Sequence, residues 1–252
     1  MGSAYESRMQ PTCGLSLKQG TKWALCTPTP CRVACTLREM TRPRTSPPST
    51  SPVIGLLLAA GSSRRFGSDK RLQTIPHPSA IPLAVHCART LAGACDAVWV
   101  LTRDEAPALR QALVQHLRDT DSPWQQQVVP EAAHGMGHTL AAGVRATPQA
   151  TGWVVALADM PALQASTVAA VAQALREGAL IAAPVHQGQR GHPVGFAAHW
   201  RESLLALQGD AGARDLLRAH ADRVTAVPVD DPGCLLDVDT PQAWQDWLTQ
   251  QG

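Results

Sequence analysis

An α/β fold with a mostly parallel sheet is predicted by three features of the chain. An apolar run begins abruptly at residue 53, strand-length apolar segments then alternate with helical segments, and polar or charged residues load the loops that follow strands. Strands alternating with helices of roughly 10 to 15 residues imply βαβ units, and right-handed crossovers put helices on both faces of the sheet.

The first strand is expected at 53–60, Val-Ile-Gly-Leu-Leu-Leu-Ala-Ala, because a continuous apolar run reads as a strand buried on both faces. A helix follows at 82–92, a second strand at 97–102 (Ala-Val-Trp-Val-Leu-Thr) and a second helix at 105–117. A short strand at 127–129, a helix at 137–145, a buried strand at 153–157 and an amphipathic helix at 164–177 continue the alternation. Beyond a strand at 180–184 the pattern loosens into a loop at 187–193, then helical stretches at 199–207 and 213–220. A strand at 224–229, the segment 234–238 and a last helix from Pro241 complete the domain.

Residues 1–52 contrast with this pattern. They are rich in Pro, Ser, Thr and Arg, end in Thr-Arg-Pro-Arg-Thr-Ser-Pro-Pro-Ser-Thr-Ser-Pro and show no sustained period. They are expected to be disordered, as a genuine tail or as upstream sequence, which leaves 53–252 as one domain.

Bulk properties narrow the function classes. With 44% hydrophobic and 17% charged residues, the chain has material for a core and too little charge for wholesale disorder. The net charge is +2, of which residues 1–52 carry +5, so the remainder carries −3. A mildly acidic domain lacks the basic footprint of a nucleic-acid binder. Seven cysteines, odd in number and irregularly spaced, argue against a disulfide framework and for a reducing, cytoplasmic setting. The four at Cys13, Cys26, Cys31 and Cys35 form no Cys-x-x-Cys pair, which makes zinc the weaker reading. No apolar run approaches the ~18 residues of a membrane span, and no secretory leader pattern opens the chain.

In open α/β sheets ligands bind at the carboxyl ends of strands. The loop after the first strand, Gly61-Ser62-Ser63-Arg64-Arg65-Phe66-Gly67-Ser68-Asp69-Lys70, combines small residues with cations. Successive backbone N–H groups in such a turn cradle phosphate oxygens, and Arg64, Arg65 and Lys70 supply positive charge. A nucleoside triphosphate is the expected guest, although the loop is neither a P-loop nor a dinucleotide fingerprint. A solvated surface turn is the plainer alternative.

A second loaded end is Ala158-Asp159-Met160-Pro161, where a buried strand delivers one carboxylate. Mg²⁺ uses one or two carboxylates plus substrate phosphates, so Asp159 suffices chemically; a helix-capping aspartate is the alternative. In Leu235-Leu236-Asp237-Val238-Asp239-Thr240-Pro241, strand alternation would send Asp237 and Asp239 to one face, Asp239 being the preferred partner for the metal.

Five ordered motifs now converge. Leu-Ala-Ala-Gly-Ser-Ser-x-Arg-x-Gly-x-x-Lys at 58–70, Ala-Asp-Met-Pro at 158–161, Gly-His-Pro-Val at 191–194, Gly-Asp-x-Gly-Ala-Arg-x-Leu-Leu at 209–217 and Asp-Val-Asp-Thr-Pro at 237–241 resemble the molybdenum cofactor cytidylyltransferases. That group lies among nucleotidyltransferases resembling the cofactor guanylyltransferase. The resemblance covers 53–252 and none of 1–52.

The resemblance implies a Rossmann-like three-layer α/β/α nucleotidyltransferase domain. It implies CTP and the molybdopterin form of the molybdenum cofactor as substrates, Mg²⁺ with Mn²⁺ as substitute, and transfer of CMP with release of pyrophosphate. The product would supply a molybdenum hydroxylase apoenzyme. By position, Ala59, Ala60, Gly61 and Ser62 would contact the nucleotide, Arg64 and Lys70 its phosphates, and Gly135, Gly137 and Thr139 the base and ribose. Gly191, His192 and Pro193 would face the pterin, and Asp159 would bind metal with Asp239 or Asp237. Phe66 stands where Met is usual, and His138 where Ser is more frequent.

Three alternatives stay open. A guanylyltransferase, or a transferase for another phosphorylated acceptor, shares the fold, but Ala59-Ala60-Gly61 stands where guanylyltransferases of the group typically show Ala-Gly-Gly. A maturation chaperone would bind cofactor without turning over nucleotide. An oxidoreductase ranks last for want of a dinucleotide fingerprint.

Overall fold

The computed structural model describes residues 52–250 except 62, 64, 77–79, 119 and 211. The expectation for residues 1–52 therefore lies, Pro52 apart, outside the described residues, as do Cys13, Cys26, Cys31 and Cys35.

The elements are β1 (Val53–Leu58), α1 (Leu83–Ala92), β2 (Ala97–Thr102), α2 (Pro107–Leu117), β3 (Trp124–Val128), α3 (Met136–Ala146), β4 (Gly152–Leu157) and α4 (Ala165–Arg176). There follow β5 (Ile181–His186), β6 (Gln189–Arg190), β7 (Val194–Ala197), α5 (Arg201–Leu205), α6 (Arg214–Ala219), β8 (Val224–Pro228) and α7 (Pro241–Thr249). The sheet runs β3-β2-β1-β4-β7-β5-β6, with β8 paired to β5. β3, β2, β1 and β4 run parallel to one another, as do β8 and β5, whereas β7 is antiparallel to both β4 and β5.

Strand alternation builds a core on each face. In β1, Val53 and Leu57 pack with α1, α2, α4 and α7 through residues such as Leu83, Leu113, Val168 and Trp244. The intervening Ile54, Leu56 and Leu58 pack on the opposite face with Leu140 and Val144 of α3, Leu204 of α5 and Leu217 of α6. β4 repeats the division, with Val154 and Ala156 on the first face and Trp153 and Val155 on the second. A strand buried on both faces needs apolar residues at every position, which is why these two read as unbroken apolar runs. The result is a three-layer α/β/α fold, helices on either side of a mixed, mostly parallel sheet.

Three local expectations change. The stretch 187–193 is not all loop, because Gln189 and Arg190 return along β5 in a hairpin. Val194–Ala197, four residues with no alternation to reveal them, form the strand that joins the two halves of the sheet. The segment 234–238 is not a strand: Pro232–Leu235 form a 3-10 turn and residues 236–239 pair with no strand. No helix among the described residues is long and apolar enough to cross a membrane.

Candidate active site

The carboxyl ends of β1 and β4 open into a cleft of about 590 Å³, lined by Leu58, Ala59, Ala60, Gly61, Lys70, Asp159 and Asp239 among others. β1 and β4 are adjacent and in register, Leu58 beside Leu157, so the loops that leave them face one another. Ala158 N–H donates to the Leu58 carbonyl at 3.2 Å, which carries the pairing to the edge of the cleft.

Lys70 is the hub. Its ammonium donates to Asp159 Oδ2 at 2.7 Å and to Asp239 Oδ1 at 2.9 Å, and lies 3.4 Å from the Val238 carbonyl. Arg65 donates to the other oxygen of Asp239 at 2.7 Å. Burial opposes the Lys70 charge, but the two carboxylates outweigh it and hold the ammonium's pKa above its ordinary value. The hydrogen bond from Lys70 is the leading cause that keeps the Asp239 carboxyl below its ordinary value.

Asp239 reaches this position through a scaffold remote in sequence. Asp231, 1% exposed, accepts from Gln164 N at 3.0 Å, Thr167 Oγ1 at 2.6 Å and Gly233 N at 2.9 Å, tying the 3-10 turn to α4. Val238 N–H then donates to the Asp159 carbonyl at 2.9 Å, laying the chain across the end of β4. Thr240 caps α7 by accepting from Ala243 N–H, so Asp239 is free of the capping duty. Asp237, by contrast, is exposed and contributes nothing to the cleft lining; its charge acts on His192.

Two anionic oxygens gathered around one ammonium leave one donor atom over. Asp159 Oδ1 is buried without a hydrogen-bond partner among the described residues. A buried carboxylate oxygen of that kind calls for a partner, and a hard divalent cation shared with Asp239 is one that fits. No group of three or more His, Cys, Asp or Glu residues suited to a metal occurs among the described residues, so substrate oxygens would have to complete the coordination.

The pKa directions set the pH limits of this cluster. Asp239, depressed in the folded state, contributes stability that is complete above about pH 3.9 and lost as pH falls through its lower folded value. Lys70, raised, contributes stability that is complete below about pH 10.4 and lost as pH rises through its higher folded value. Asp239→Asn is therefore expected to lower the melting temperature at neutral pH, the gap to wild type closing as the pH drops below about 3.9. Melting curves across that range check it; a gap independent of pH would contradict it.

The opposite wall is built by glycine. Gly135 has φ 125°, and Gly137 donates its N–H to the Gly209 carbonyl at 2.8 Å. A Cβ on Gly135 would collide with the Gly209 backbone, and one on Gly137 would come within 2.7 Å of the Gln208 carbonyl oxygen. Gly209 N–H donates to His138 Nδ1 at 3.3 Å, a second tie between the start of α3 and this segment. Met136, Thr139 and Asp210 join the lining. Gly137→Ala is expected to destabilise the domain by roughly 1–3 kcal/mol, because the added methyl must displace this wall; a melting curve of the variant checks it.

Gly191, His192 and Pro193 lie next to this cleft and outside its lining. Gly191 is pressed against the Cys234 carbonyl, leaving no room for a Cβ, and His192 N–H donates to that carbonyl at 2.8 Å. His192 Nδ1 is buried without a partner among the described residues, and burial is the leading cause that lowers the ring's pKa, against the pull of Asp159 and Asp237.

Of the residues singled out in the sequence, Ala59, Ala60, Gly61, Lys70, Gly135, Thr139, Asp159 and Asp239 line one cleft. Gly137 stands behind it; Ser62 and Arg64 lie outside the described residues. Sequence reasoning passed over Arg71 and Arg103, which line the cleft, and left Arg65 as general positive charge. Arg65 is the arginine that the motif at 58–70 specifies, and that spacing was the available signal. Nothing local marked Arg71, which follows Lys70 as one more cation.

A family model described as a MobA-like NTP transferase domain matches residues 55–224. The chain is 31% identical over 196 residues to the purine catabolism protein PucB of Bacillus subtilis (strain 168), covering 76% of this chain and 94% of that protein. It is 29% identical over 195 residues to a nicotine blue oxidoreductase of Paenarthrobacter nicotinovorans, covering 75% and 92%. It is 31% identical over 196 residues to a probable molybdenum cofactor guanylyltransferase of Synechococcus elongatus, covering 75% and 95%. Among solved structures, Rv0371c from Mycobacterium tuberculosis H37Rv superposes with a TM-score of 0.63 at 27% identity, covering 79% of this chain and 98% of that one.

Proposed function

The chain belongs to the MobA-like NTP transferase family, and from that premise we propose that its 53–252 domain transfers CMP from CTP to the molybdopterin form of the molybdenum cofactor. The observation that carries this reading is the convergence of Lys70, Asp159 and Asp239 at the mouth of a cleft walled by glycines.

The terminal phosphate of the cofactor attacks the α-phosphorus of CTP, a phosphorus–oxygen bond forms as the bond to the β-phosphate oxygen breaks, and pyrophosphate leaves. That phosphate is already ionised at neutral pH, so no protein base is required, and catalysis reduces to positioning and charge stabilisation. Lys70 neutralises charge on the phosphates, Arg65 and Arg64 add to the field, and the amides of Ala59 to Ser62 cradle the triphosphate. A divalent cation, Mg²⁺ or Mn²⁺, held by Asp159 and Asp239 would offset the charge of the reacting phosphates. Asp237 stands too exposed to be our choice for that cation. Gly135 and Thr139 form the wall for base and ribose, Gly137 fixes that wall through its bond to Gly209, and Gly191, His192 and Pro193 face the acceptor. His192, whose pKa is lowered by burial, is assigned a contact with the acceptor, because a phosphate nucleophile that is already ionised needs no proton transfer.

The cytidylylated product would serve a molybdenum hydroxylase in the cytoplasm. The Synechococcus relative keeps a guanylyl reading in contention, and Ala60 within Ala59-Ala60-Gly61 is what favours CTP. Pyrophosphate release with Mg²⁺ and cofactor, compared across CTP, GTP and ATP, tests the proposal. Selective turnover of CTP supports it and a GTP preference moves the protein to the sister reaction. Redox turnover of nicotine blue without pyrophosphate release would favour the activity named for the Paenarthrobacter relative instead.

A further inference from the structure

We propose that Arg71 is a positioning residue for the phosphate loop: its buried guanidinium ties the loop's first residue to its last and thereby aims Lys70 into the cleft. This inference rests on the transferase reading and concerns the same site.

Arg71 is 8% exposed, unusual for a charged side chain beside an open cleft. Its Nε and Nη2 donate to the two oxygens of Asp69 at 2.8 and 2.7 Å, a bidentate pairing within two residues. Nη1 donates to the Ala59 carbonyl at 3.2 Å, twelve residues back at the end of β1. The same nitrogen lies 3.7 Å from Asp104 on the loop after β2. Asp69 in turn accepts from the Arg71 N–H at 3.1 Å and caps the 3-10 turn Lys70–Leu72. Burial opposes the Asp69 charge, yet the Arg71 contacts outweigh it and hold the carboxyl below its ordinary value.

Between these ties, a few hydrogen bonds brace the described residues of the loop. Phe66 and Gly67 donate to the Ser63 carbonyl at 3.0 and 3.2 Å, and Lys70 N–H reaches Ser63 Oγ at 3.4 Å. A chain so rich in Gly and Ser samples many conformations unless its ends are fixed. Arg71 fixes both ends at once, and because Lys70 is its neighbour, the direction of the ammonium toward Asp159 and Asp239 follows. Lysine cannot substitute, since a compact ammonium lacks the planar fork that chelates Asp69 while reaching Ala59.

The test combines kinetics with amide hydrogen exchange on the full chain for Arg71→Leu, Arg71→Lys and Asp69→Asn. In Arg71→Leu the nucleotide KM is expected to rise by about tenfold or more while the acceptor KM stays within about twofold. Exchange should accelerate in residues 59–70 and not in the sheet. Arg71→Lys should fail to restore either readout, and Asp69→Asn, at a partly exposed side chain, should reproduce both even if Arg71→Leu does not fold. Unchanged nucleotide KM and loop exchange would overturn the proposal, as would recovery by lysine or an acceleration spread over the whole domain. If the wild type turns over no nucleotide, the transferase reading fails on its own, and the loop exchange alone decides the role of Arg71.

Discussion

Asp159→Ala is expected to lower pyrophosphate release by about a thousandfold, equivalent to roughly 4 kcal/mol of transition-state stabilisation. The residue has two charge-handling oxygens with different tasks. Oδ2 holds Lys70 at 2.7 Å, and Oδ1 is buried with no partner of its own among the described residues. Alanine removes the anchor of the proposed cation and one of the two carboxylates that hold the ammonium. The remaining carboxylate, Asp239 at 2.9 Å, keeps Lys70 from becoming an unpaired buried charge, so the variant should fold. Initial rates beside a melting curve check this. Activity within about tenfold of wild type would remove Asp159 from the reaction.

Lys70→Met should be nearly as damaging to turnover, by about a hundredfold or more, but with a different signature. Methionine keeps the length of the stem and deletes the charge that Asp159 and Asp239 share. Two carboxylates then face each other with the exposed Arg65 to offset them among the described residues, and like charges at short range destabilise the fold. If the cation sits where we propose, added Mg²⁺ would replace the lost positive charge between them. The melting temperature of Lys70→Met should therefore rise more on adding Mg²⁺ than that of wild type, while activity stays low. A variant whose stability ignores Mg²⁺ would contradict the placement of the cation at these two residues.

What could be read from the sequence followed from local signals. Buried central strands such as 53–58 and 152–157 must be apolar throughout, so their position and the loops at their ends were legible, and with them Lys70 and Asp159. Their contact was not, because it joins residues 89 apart in sequence and depends on β1 and β4 pairing side by side. Asp237 and Asp239 could not be separated by alternation, since alternation presumes a strand and the segment pairs with none; the Asp231 scaffold and the Val238–Asp159 backbone bond decide which one enters the cleft. β7 escaped notice for its brevity, and Arg71 because a buried guanidinium looks, in sequence, like any surface cation. The tight fit of Gly135 against Gly209 is likewise tertiary, though two glycines flanking Met136 marked a place where chain approaches chain.

The most direct measurement follows the α-phosphate itself. Protein is incubated with Mg²⁺, CTP labelled at the α-phosphate and the molybdopterin form of the cofactor, and the label is located by chromatography. Label appearing in the cofactor in step with unlabelled pyrophosphate is the expected result. Label remaining in CTP, with cofactor bound and intact, would contradict the transferase account and leave a cofactor-binding chaperone as the better description of the protein.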